Sequence, residues 1–336
     1  MPPARVLYVL LSALAAWPCW APAWAKEFRS SDIYPANYPT VQAVVYMDKL
    51  LRERSGGRHG ITVLGPADVA SADDGAASTR RAELGMARLR HGELDMARVN
   101  VSALDPRSMA VVVPSLPFLF KSTAQMRRVL DGPVGDEILA SLDSEGVIGL
   151  CFFDAGPRSF YSVKQPIKSA ADLKGLKVRV QQAELWPALM RTLGADPVAL
   201  PFDQVFKALE AGTVDAADNS WPTYVAARHY NVAKYFSLTE HSMAPAVLLF
   251  SKPVWDQLSR EDQALIRAVA KDSVAHMRRL WDDYDIAARK TVEAAGGQIV
   301  TDVDRKSFAD ALQPLYASMI TEPRLRDMVR RIQSEE

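Results

Sequence analysis

Apolar residues recur at helical spacing soon after the start of the chain. In the segment TVQAVVYMDKLLRERSGG they include Val41, Val44 and Leu51, and the glycines at 56 and 57 end the pattern. The next residues, GITVLG, form a short run with β propensity. The pattern therefore predicts a helix followed by a strand. A second helix is predicted over residues 82–91, before Gly92.

A much longer helical pattern lies in the last third of the chain. It starts after Ser259, a residue type that caps helices, runs through Leu265, Val269 and Met277, and ends at the glycines 296 and 297. A helix of over thirty residues would be about 50 Å long. One compact domain rarely contains such a helix, so we expect it to lie across two lobes.

Two segments share the same order of residue types: RHGELDMARVN, residues 90–100, and LEAGTVDAADNS, residues 209–220. Each has a helix end, a glycine, an aliphatic residue, an aspartate and a short run that ends in asparagine. Chance similarity is the alternative for so short a match. If the match is real, two similarly wound α/β lobes direct Asn100 and Asn219 toward a shared space.

The first residues, MPPARVLYVLLSALAAWPCWAPAWAKEF, contain one arginine, an apolar run and a small-x-small triplet that ends at Ala25. This pattern is typical of a secretory signal peptide, so we predict that residues 1–25 are removed. A retained membrane anchor is the alternative, although the apolar run is short for a bilayer span. A lipid anchor at Cys19 is disfavoured, because proline and tryptophan stand where that motif needs small residues.

The segment GVIGLCFFDAGPRSFYSV predicts a strand, a turn at Gly156-Pro157 and a second strand. Its many aromatic residues indicate a strand that crosses between the lobes. Removal of the signal peptide leaves Cys151, in this segment, as the one remaining cysteine. Its apolar neighbours favour a buried hydrophobic side chain over a nucleophile.

The charge balance and the motif search exclude several classes of function. The chain has 40 basic and 40 acidic residues, and loss of Arg5 with the signal peptide leaves 39 against 40. This balance gives no indication of a basic face for nucleic acid. The histidines show no metal-binding spacing, and no phosphate loop or nucleophile elbow occurs. We therefore predict no metal, no cofactor and no enzyme activity.

Two arginines lie at strand boundaries in apolar surroundings: Arg158 in DAGPRSFYSV and Arg179 in GLKVRVQQ. The second segment alternates charged residues with valines, which predicts a short strand that ends where open α/β folds bind ligands. An unpaired guanidinium is costly in such a place, so each arginine needs an anion. An internal Asp or Glu and a ligand carboxylate are both open, and the planar fork of arginine suits the carboxylate.

Other side chains follow the same strands. Asn219 would add a neutral donor, although asparagine at such a position is often only a turn former. Some aromatic residues are candidates for packing on the apolar faces of a ligand, with burial in the core as the alternative. They are Phe153, Trp186, Trp221 and Tyr224. His241 is open to the same two interpretations.

From residue 28 to beyond residue 296, the chain resembles the solute-binding proteins of TRAP (tripartite ATP-independent periplasmic) transporters, the DctP family. The motifs that carry the resemblance are RHGELDM, PSLPFLF, GPRS, DLKGLKVRV, LGADP and GTVDAADN. The resemblance implies a periplasmic-binding-protein-like α/β fold, with two α/β lobes around a central cleft, crossing strands and one long helix that spans both lobes. It also implies a monomer that captures an organic acid in the periplasm and delivers it to a membrane permease driven by an ion gradient.

The resemblance also implies site roles. Arg179 matches the arginine that makes the principal salt bridge to the ligand carboxylate, Arg158 matches one that assists it, and Asn219 matches a donor to the same group. Asn100 matches a first-lobe position that contacts the far end of the ligand. Gln181 is a further candidate, in the stretch RVQQ that resembles the sugar-acid branch.

The branch that the chain resembles binds hexuronates such as glucuronate and galacturonate, as judged from RVQQ, NSWPTY and YPTVQAV. The chain departs from the branch at four places: Asn37 replaces a residue that is often acidic, STRRAELG stands where acidic residues are expected upstream of Gly92, and Asp218 and Ser220 flank Asn219 where the branch has Glu and Asn. These departures affect the sugar-hydroxyl contacts and leave the carboxylate contacts intact.

The resemblance divides the chain into a first lobe of residues 26–155 plus 245–284 and a second of residues 156–244 plus 285–336. Other functions stay open at this point. A sensory protein would present its ligand to a signalling partner through the same cleft. An enzyme on this scaffold would use Glu184 or Asp154 beside Arg179. A non-sugar mono- or dicarboxylate is an alternative ligand.

Overall fold

The computed structural model describes residues 25–65, 78–104, 109–183, 185–243 and 245–335, except the side chains of residues 78–84 and 103. The strands of this part are β1 (Lys26–Ser31), β2 (His59–Leu64), β3 (Met96–Asn100), β4 (Val147–Phe153), β5 (Arg158–Ser162), β6 (Lys177–Val180), β7 (Asp196–Ala199), β8 (Ala216–Asn219), β9 (Tyr235–Ser242), β10 (Ala246–Ser251) and β11 (Gln298–Val300). The helices are α1 (Pro39–Arg54), α2 (Ser78–His91), α3 (Thr123–Asp131), α4 (Pro133–Ser141), α5 (Leu185–Thr192), α6 (Val205–Glu210), α7 (Trp221–Ala226), α8 (Lys252–Trp255), α9 (Arg260–Ala294), α10 (Arg305–Met319) and α11 (Pro323–Ser334).

The strands form two sheets, one for each lobe. The first has the order β2-β1-β3-β10-β4 and the second β11-β9-β5-β8-β6-β7. The chain passes from the first sheet to the second between β4 and β5, and it returns between β9 and β10. The predicted α/β fold with two lobes and crossing strands is therefore confirmed.

The two segments with similar sequences occupy equivalent places in the two sheets. Strand β3 lies between β1, to which it is parallel, and β10, to which it is antiparallel. Strand β8 likewise lies between parallel β6 and antiparallel β5. Each strand follows a glycine in the left-handed region, with φ of 73° at Gly92 and 68° at Gly212. Each ends in its asparagine, so the similarity reflects a shared local structure.

The long helix α9 joins the two hydrophobic cores. The Ser259 side chain caps it by accepting a hydrogen bond from the Asp262 backbone N–H at 3.1 Å. Ile266 and Met277 are buried in a core that covers the first sheet, whereas Ala288 and Val292 are buried in a core of the second. The prediction that this helix spans both lobes is confirmed.

The C-terminal helix departs from the predicted division of the chain. Leu325, Met328 and Ile332 of α11 are buried in the core formed by α3, α4 and the first sheet, and the Gln125 side chain donates to the Ile332 carbonyl at 3.1 Å. The preceding helix α10 packs on the second sheet through Phe308. Residues 320–334 therefore belong with the first lobe, although the predicted division placed them in the second. Their amphipathic pattern predicts a buried face without indicating which sheet covers it.

Candidate functional site

Neighbouring strands of the second sheet bring the predicted polar residues to one edge. Arg158 is the first residue of β5, Asn219 the last of β8, and Arg179 lies one residue from the end of β6. Because β8 lies between β5 and β6, side chains from distant parts of the sequence meet there. The sequence-predicted cluster of these three residues is present in the structure.

Arg158 is paired inside the protein. Its Nε donates to Asp218 Oδ2 at 2.6 Å, its Nη2 to the Asp218 carbonyl at 2.8 Å and its Nη1 to Asn219 Oδ1 at 3.2 Å. Burial alone would raise the pKa of the Asp218 carboxyl, but Arg158 and His241 hold it well below its usual range. Of the two interpretations left open by the sequence, the structure shows the internal partner for Arg158.

Arg179 is buried without such a partner. The residue is only 4% exposed. Its Nε and Nη2 donate to the Leu200 carbonyl at 3.0 and 2.8 Å. Among the described residues it forms no ion pair, and its Nη1 makes no hydrogen bond. Burial lowers the pKa of this guanidinium to about 10, with a further contribution from Arg158, while Tyr161 and Asp218 oppose the shift. The Nη1–Nη2 end of the fork thus remains for an anion.

Two other buried side chains near Arg179, those of Tyr161 and His229, are neutral. Tyr161 is hydrogen-bonded through its hydroxyl to Nδ1 of His229 at 2.8 Å. Burial and the charge of Arg179 lower the pKa of His229 to about 3, and burial raises that of Tyr161. Neither group supplies the missing negative charge at neutral pH. The carbonyl of Leu200 is a dipole and does not balance a full positive charge.

The three amide side chains have free hydrogen-bonding capacity. Asn219 accepts from Arg158 and from the Ser220 backbone N–H through Oδ1, and no described residue accepts from its Nδ2. Asn100 Oδ1 and Gln181 Oε1 are buried and have no hydrogen-bond partner in the part of the chain that the structure describes. Buried amide oxygens are normally paired, so these atoms are suited to a bound molecule.

Three of the aromatic residues predicted as ligand contacts are buried in the hydrophobic cores. Trp221 stacks on Phe236 with ring centroids 3.7 Å apart. Tyr224 is fully buried and donates its hydroxyl hydrogen to the Ala233 carbonyl. Phe153 is buried in the core of the first lobe. Their packing gives no support to the proposal that they contact a ligand, and we leave them out of the site.

Trp186 lies between the lobes. Its indole N–H donates to the Ser102 carbonyl, just beyond β3, at 2.9 Å, and the Arg158 guanidinium lies 5.2 Å from its ring centroid. His241 is also buried in this region, where its Nε2 lies 3.3 Å from Asp218 Oδ2. Burial lowers the pKa of His241, and Asp218 opposes this shift. His241 therefore orders the Arg158–Asp218 pair.

Sequence reasoning missed the first-lobe residues that meet this site. The hydroxyls of Tyr34 and Tyr38 lie 3.1 and 3.2 Å from Thr223 Oγ1, near the start of α7 in the second lobe. Ser220 donates to the same oxygen at 3.2 Å. The two tyrosine rings are stacked, 3.9 Å apart. Nothing in the segment IYPANYP indicates this partner, because Thr223 is remote in sequence.

The predicted departures from the sugar-acid branch have different outcomes. Asn37 is exposed. Asp218 is paired with Arg158, and the Ser220 hydroxyl donates to Thr223 Oγ1. The side chains of residues 78–84, which include most of STRRAELG, lie outside the described residues, as does Glu184. Asp154, the other candidate for an enzyme, accepts from Arg127 Nε at 2.7 Å. It is thus held in an ion pair beside the crossing segment.

Two other kinds of feature are absent from the described part of the chain. It contains no helix with the length and apolar character needed to cross a membrane. It also contains no group of three or more His, Cys, Asp or Glu side chains placed to hold a metal ion. Cys151 is buried in the first core, where burial raises the pKa of its thiol. The predicted signal peptide lies almost entirely outside the described residues.

The sequence of the chain matches that of a known protein family. The model of the DctP family, described as bacterial extracellular solute-binding protein, family 7, matches residues 30–322. The chain is a DctP-family solute-binding protein. A solute-binding protein of Chromohalobacter salexigens is 32% identical over 331 residues, which cover 98% of this chain and 94% of that protein. The family and the solute-binding role predicted from the sequence are confirmed.

Two solved structures extend the comparison. A TRAP periplasmic solute-binding protein of Bradyrhizobium sp. BTAi1, in complex with α/β-D-galacturonate, is 48% identical, with a TM-score of 0.86 over 92% of this chain and 99% of that one. A TRAP periplasmic solute-binding protein of Xanthobacter autotrophicus Py2, with bound β-D-galacturonate, is 44% identical, with a TM-score of 0.85 over 92% and 100%. Both share the fold of this DctP-family protein over that length.

Proposed function

We propose that the protein binds a hexuronate in the cleft between its two sheets, with D-galacturonate as the first candidate and D-glucuronate as the second. The observation that carries the proposal is Arg179, a buried guanidinium with no ion pair among the described residues. Its Nη1–Nη2 end matches the two oxygens of one carboxylate. Asn219 Nδ2, at the end of the neighbouring strand, adds a neutral donor.

The neighbouring arginine supports this assignment. Arg158 is neutralised by Asp218 at 2.6 Å, so the strand ends carry one unbalanced positive charge rather than two. A ligand with one carboxylate balances that charge. The Arg158–Asp218 pair fixes the position of Asn219 through the bond to Oδ1. Arg158 therefore acts through Asn219, and not as a direct carboxylate contact.

Ligand binding is coupled to closure of the lobes. The closed arrangement already contains hydrogen bonds between the hydroxyls of Tyr34 and Tyr38 and that of Thr223, and one from the Trp186 indole N–H to the Ser102 carbonyl. A ligand that contacts both lobes adds further bonds to the closed form alone. Only such differential contact shifts the equilibrium toward closure. The closed, loaded protein then presents the surface that a TRAP permease recognises.

The remaining parts of the role are also proposals. Residues 1–25 act as a cleaved signal peptide, and the mature protein, from Lys26 onward, works in the periplasm as a monomer. It transports its ligand without changing it. Recovery of the bound compound after long incubation, followed by mass spectrometry, tests that last point, because a changed compound would indicate catalysis.

The decisive experiment is calorimetric titration of the mature protein with D-galacturonate, D-glucuronate, succinate and benzoate. Arg179→Ala should abolish binding of the preferred acid, and Arg179→Lys should restore little, because lysine cannot form two parallel hydrogen bonds. Arg267→Ala is the matched control, since it removes an exposed arginine of α9 that lies away from the cleft. The Arg267 guanidinium lies over the ring of Trp255, the last residue of α8. Unchanged affinity in Arg179→Ala would remove the proposed site.

A further inference from the structure

A second buried arginine, Arg98, lies in the first lobe. Arg98 lies in β3, is only 4% exposed, and none of its three nitrogens has a hydrogen-bond partner among the described residues. Its guanidinium lies 4.9 Å from the ring centroid of Tyr34. Buried guanidinium donors are normally satisfied, so this side chain has donor capacity that the described protein does not use.

The local sequence around Arg98 resembles that around Arg179. Strand β3 ends in Arg98-Val99-Asn100, and β6 continues into Arg179-Val180-Gln181. In an extended chain, residues two apart lie on the same face, so each arginine shares a face with an amide. Contacts across the cleft place the end of β3 against the second lobe: the Ser102 carbonyl accepts from Trp186, and Tyr34, beside Arg98, reaches Thr223.

The two arginines differ in charge balance. Arg179 has no carboxylate partner, whereas Arg98 Nε lies 3.8 Å from Asp32 Oδ2. That separation permits charge compensation but is too long for a hydrogen bond. The Asp32 carboxylate is held by Thr40 Oγ1, at 2.8 Å, and by the Tyr34 backbone N–H, at 3.2 Å. Arg98 therefore needs neutral acceptor atoms rather than a second anion.

The amide oxygens of Asn100 and Gln181 need hydrogen-bond donors. Asn100 Oδ1 and Gln181 Oε1 are buried acceptors to which no described residue donates. A carboxylate only accepts hydrogen bonds, so it cannot satisfy them, whereas a hydroxyl both donates and accepts. A ligand with several hydroxyls can accept from Arg98 and donate to the amide oxygens at the same time.

We propose that Arg98 recognises the hydroxyl groups at the end of the ligand opposite its carboxylate, and that it thereby selects sugar acids with one carboxylate over sugar diacids. This inference rests on the proposed function, since it takes the ligand carboxylate to be bound at Arg179. It adds to the first lobe a specificity-determining residue that the sequence did not indicate.

The first test compares D-galactonate with galactarate, which differ only by a terminal hydroxymethyl group in one and a carboxylate in the other. Calorimetric titration of the wild type should show galactarate binding at least about tenfold more weakly, because a second carboxylate would be buried against a charge already compensated. Equal or tighter binding of galactarate would overturn the inference, and would indicate that Asp32 leaves the charge of Arg98 free.

The second test uses Arg98→Gln with D-galacturonate and with glycolate, which has no far end. The variant should lose about 10- to 100-fold in affinity for D-galacturonate, the range for hydrogen bonds from a charged donor, and keep the wild-type affinity for glycolate. If Asp32, left without its partner, prevents folding, the double variant Asp32→Asn/Arg98→Gln keeps the charge balance and is measured instead. An unchanged affinity for D-galacturonate, or an equal loss for both acids, would overturn the role of Arg98.

The two proposals fail in distinguishable ways. If the wild type binds no sugar acid, the proposed function is wrong and the inference on Arg98 goes with it. A different pattern would contradict only the inference on Arg98. In that pattern the wild type binds D-galacturonate, Arg179→Ala abolishes this binding, and Arg98→Gln leaves it as strong as in the wild type.

Discussion

The buried Arg158–Asp218 pair gives a prediction about both stability and ligand binding. In Asp218→Asn the shape of the side chain is kept and its charge is lost. The two side chains are each 3% exposed, and Arg158 Nε lies 2.6 Å from Asp218 Oδ2. Removal of one partner leaves the other charge buried, which costs about 3–5 kcal/mol. That loss is a large part of the roughly 5–15 kcal/mol by which folded domains are stable.

The same change should strengthen the binding of a carboxylate. Without Asp218, Arg158 becomes a second uncompensated guanidinium beside Arg179, and a bound carboxylate offsets part of its charge. If about 1.4 kcal/mol of the lost pairing is regained in the complex, affinity rises about tenfold. The variant should thus be the less stable protein without ligand and show the larger stabilisation when ligand is added.

The assay is urea unfolding at pH 7, followed by circular dichroism, with and without D-galacturonate. The matched control is Asp302→Asn, because Lys168 Nζ and Asp302 Oδ2 are also 2.6 Å apart but the two side chains are 49% and 70% exposed. Water screens such a pair, so the control should unfold like the wild type. Either a loss of less than about 1 kcal/mol in Asp218→Asn, or a ligand-induced stabilisation smaller than that of the wild type, would refute the reasoning.

Two further changes test the closed form and the pH response. Tyr34→Phe removes a hydroxyl that bonds across the cleft to Thr223, so galacturonate affinity should fall by about three- to tenfold in calorimetry. Tyr46→Phe on α1 is the control. Equal affinity in both variants would contradict the role of Tyr34 in closure. Burial, with Asp282 and Glu240, raises the pKa of Asp285 from 3.8 to about 6. The folded state therefore binds this proton more tightly than the unfolded state, and stability falls as the pH rises from 3.8 to about 6. Asp285→Asn should remove that slope in thermal melts and be the more stable protein at pH 7, whereas parallel profiles for variant and wild type would exclude Asp285 as its source.

Local patterns predicted the local elements well. The alternation in KVRV gave β6, and the period that starts after Ser259 gave α9 to within two residues of its observed end at Ala294. These elements depend on neighbouring residues in the chain, so a pattern read along the sequence contains the necessary information. The same holds for the matched segments that end in Asn100 and Asn219, since a glycine and a short strand are local features.

Partners remote in sequence were harder to predict. Spacing left Arg158 and Arg179 equivalent, because the partner of Arg158 lies sixty residues away and becomes its neighbour only when β8 pairs with β5. Trp221 and Tyr224 start a helix near the cleft, yet the position of Phe236 makes them core residues. Arg98 attracted no attention in the sequence, because a strand arginine is ordinarily paired or exposed, and its unused donors are visible only in three dimensions.

The order of strands in the first sheet has a consequence for how the chain is made. Strands β3 and β4 do not pair with each other, because β10 lies between them. During synthesis the first sheet therefore stays incomplete until residue 251 has left the ribosome, and its core also waits for α11 at the C-terminus. Most chains fold their N-terminal domain first, but this one cannot. If residues 1–25 direct export of the unfolded chain, as proposed above, that delay keeps the first lobe from folding before it has crossed the membrane.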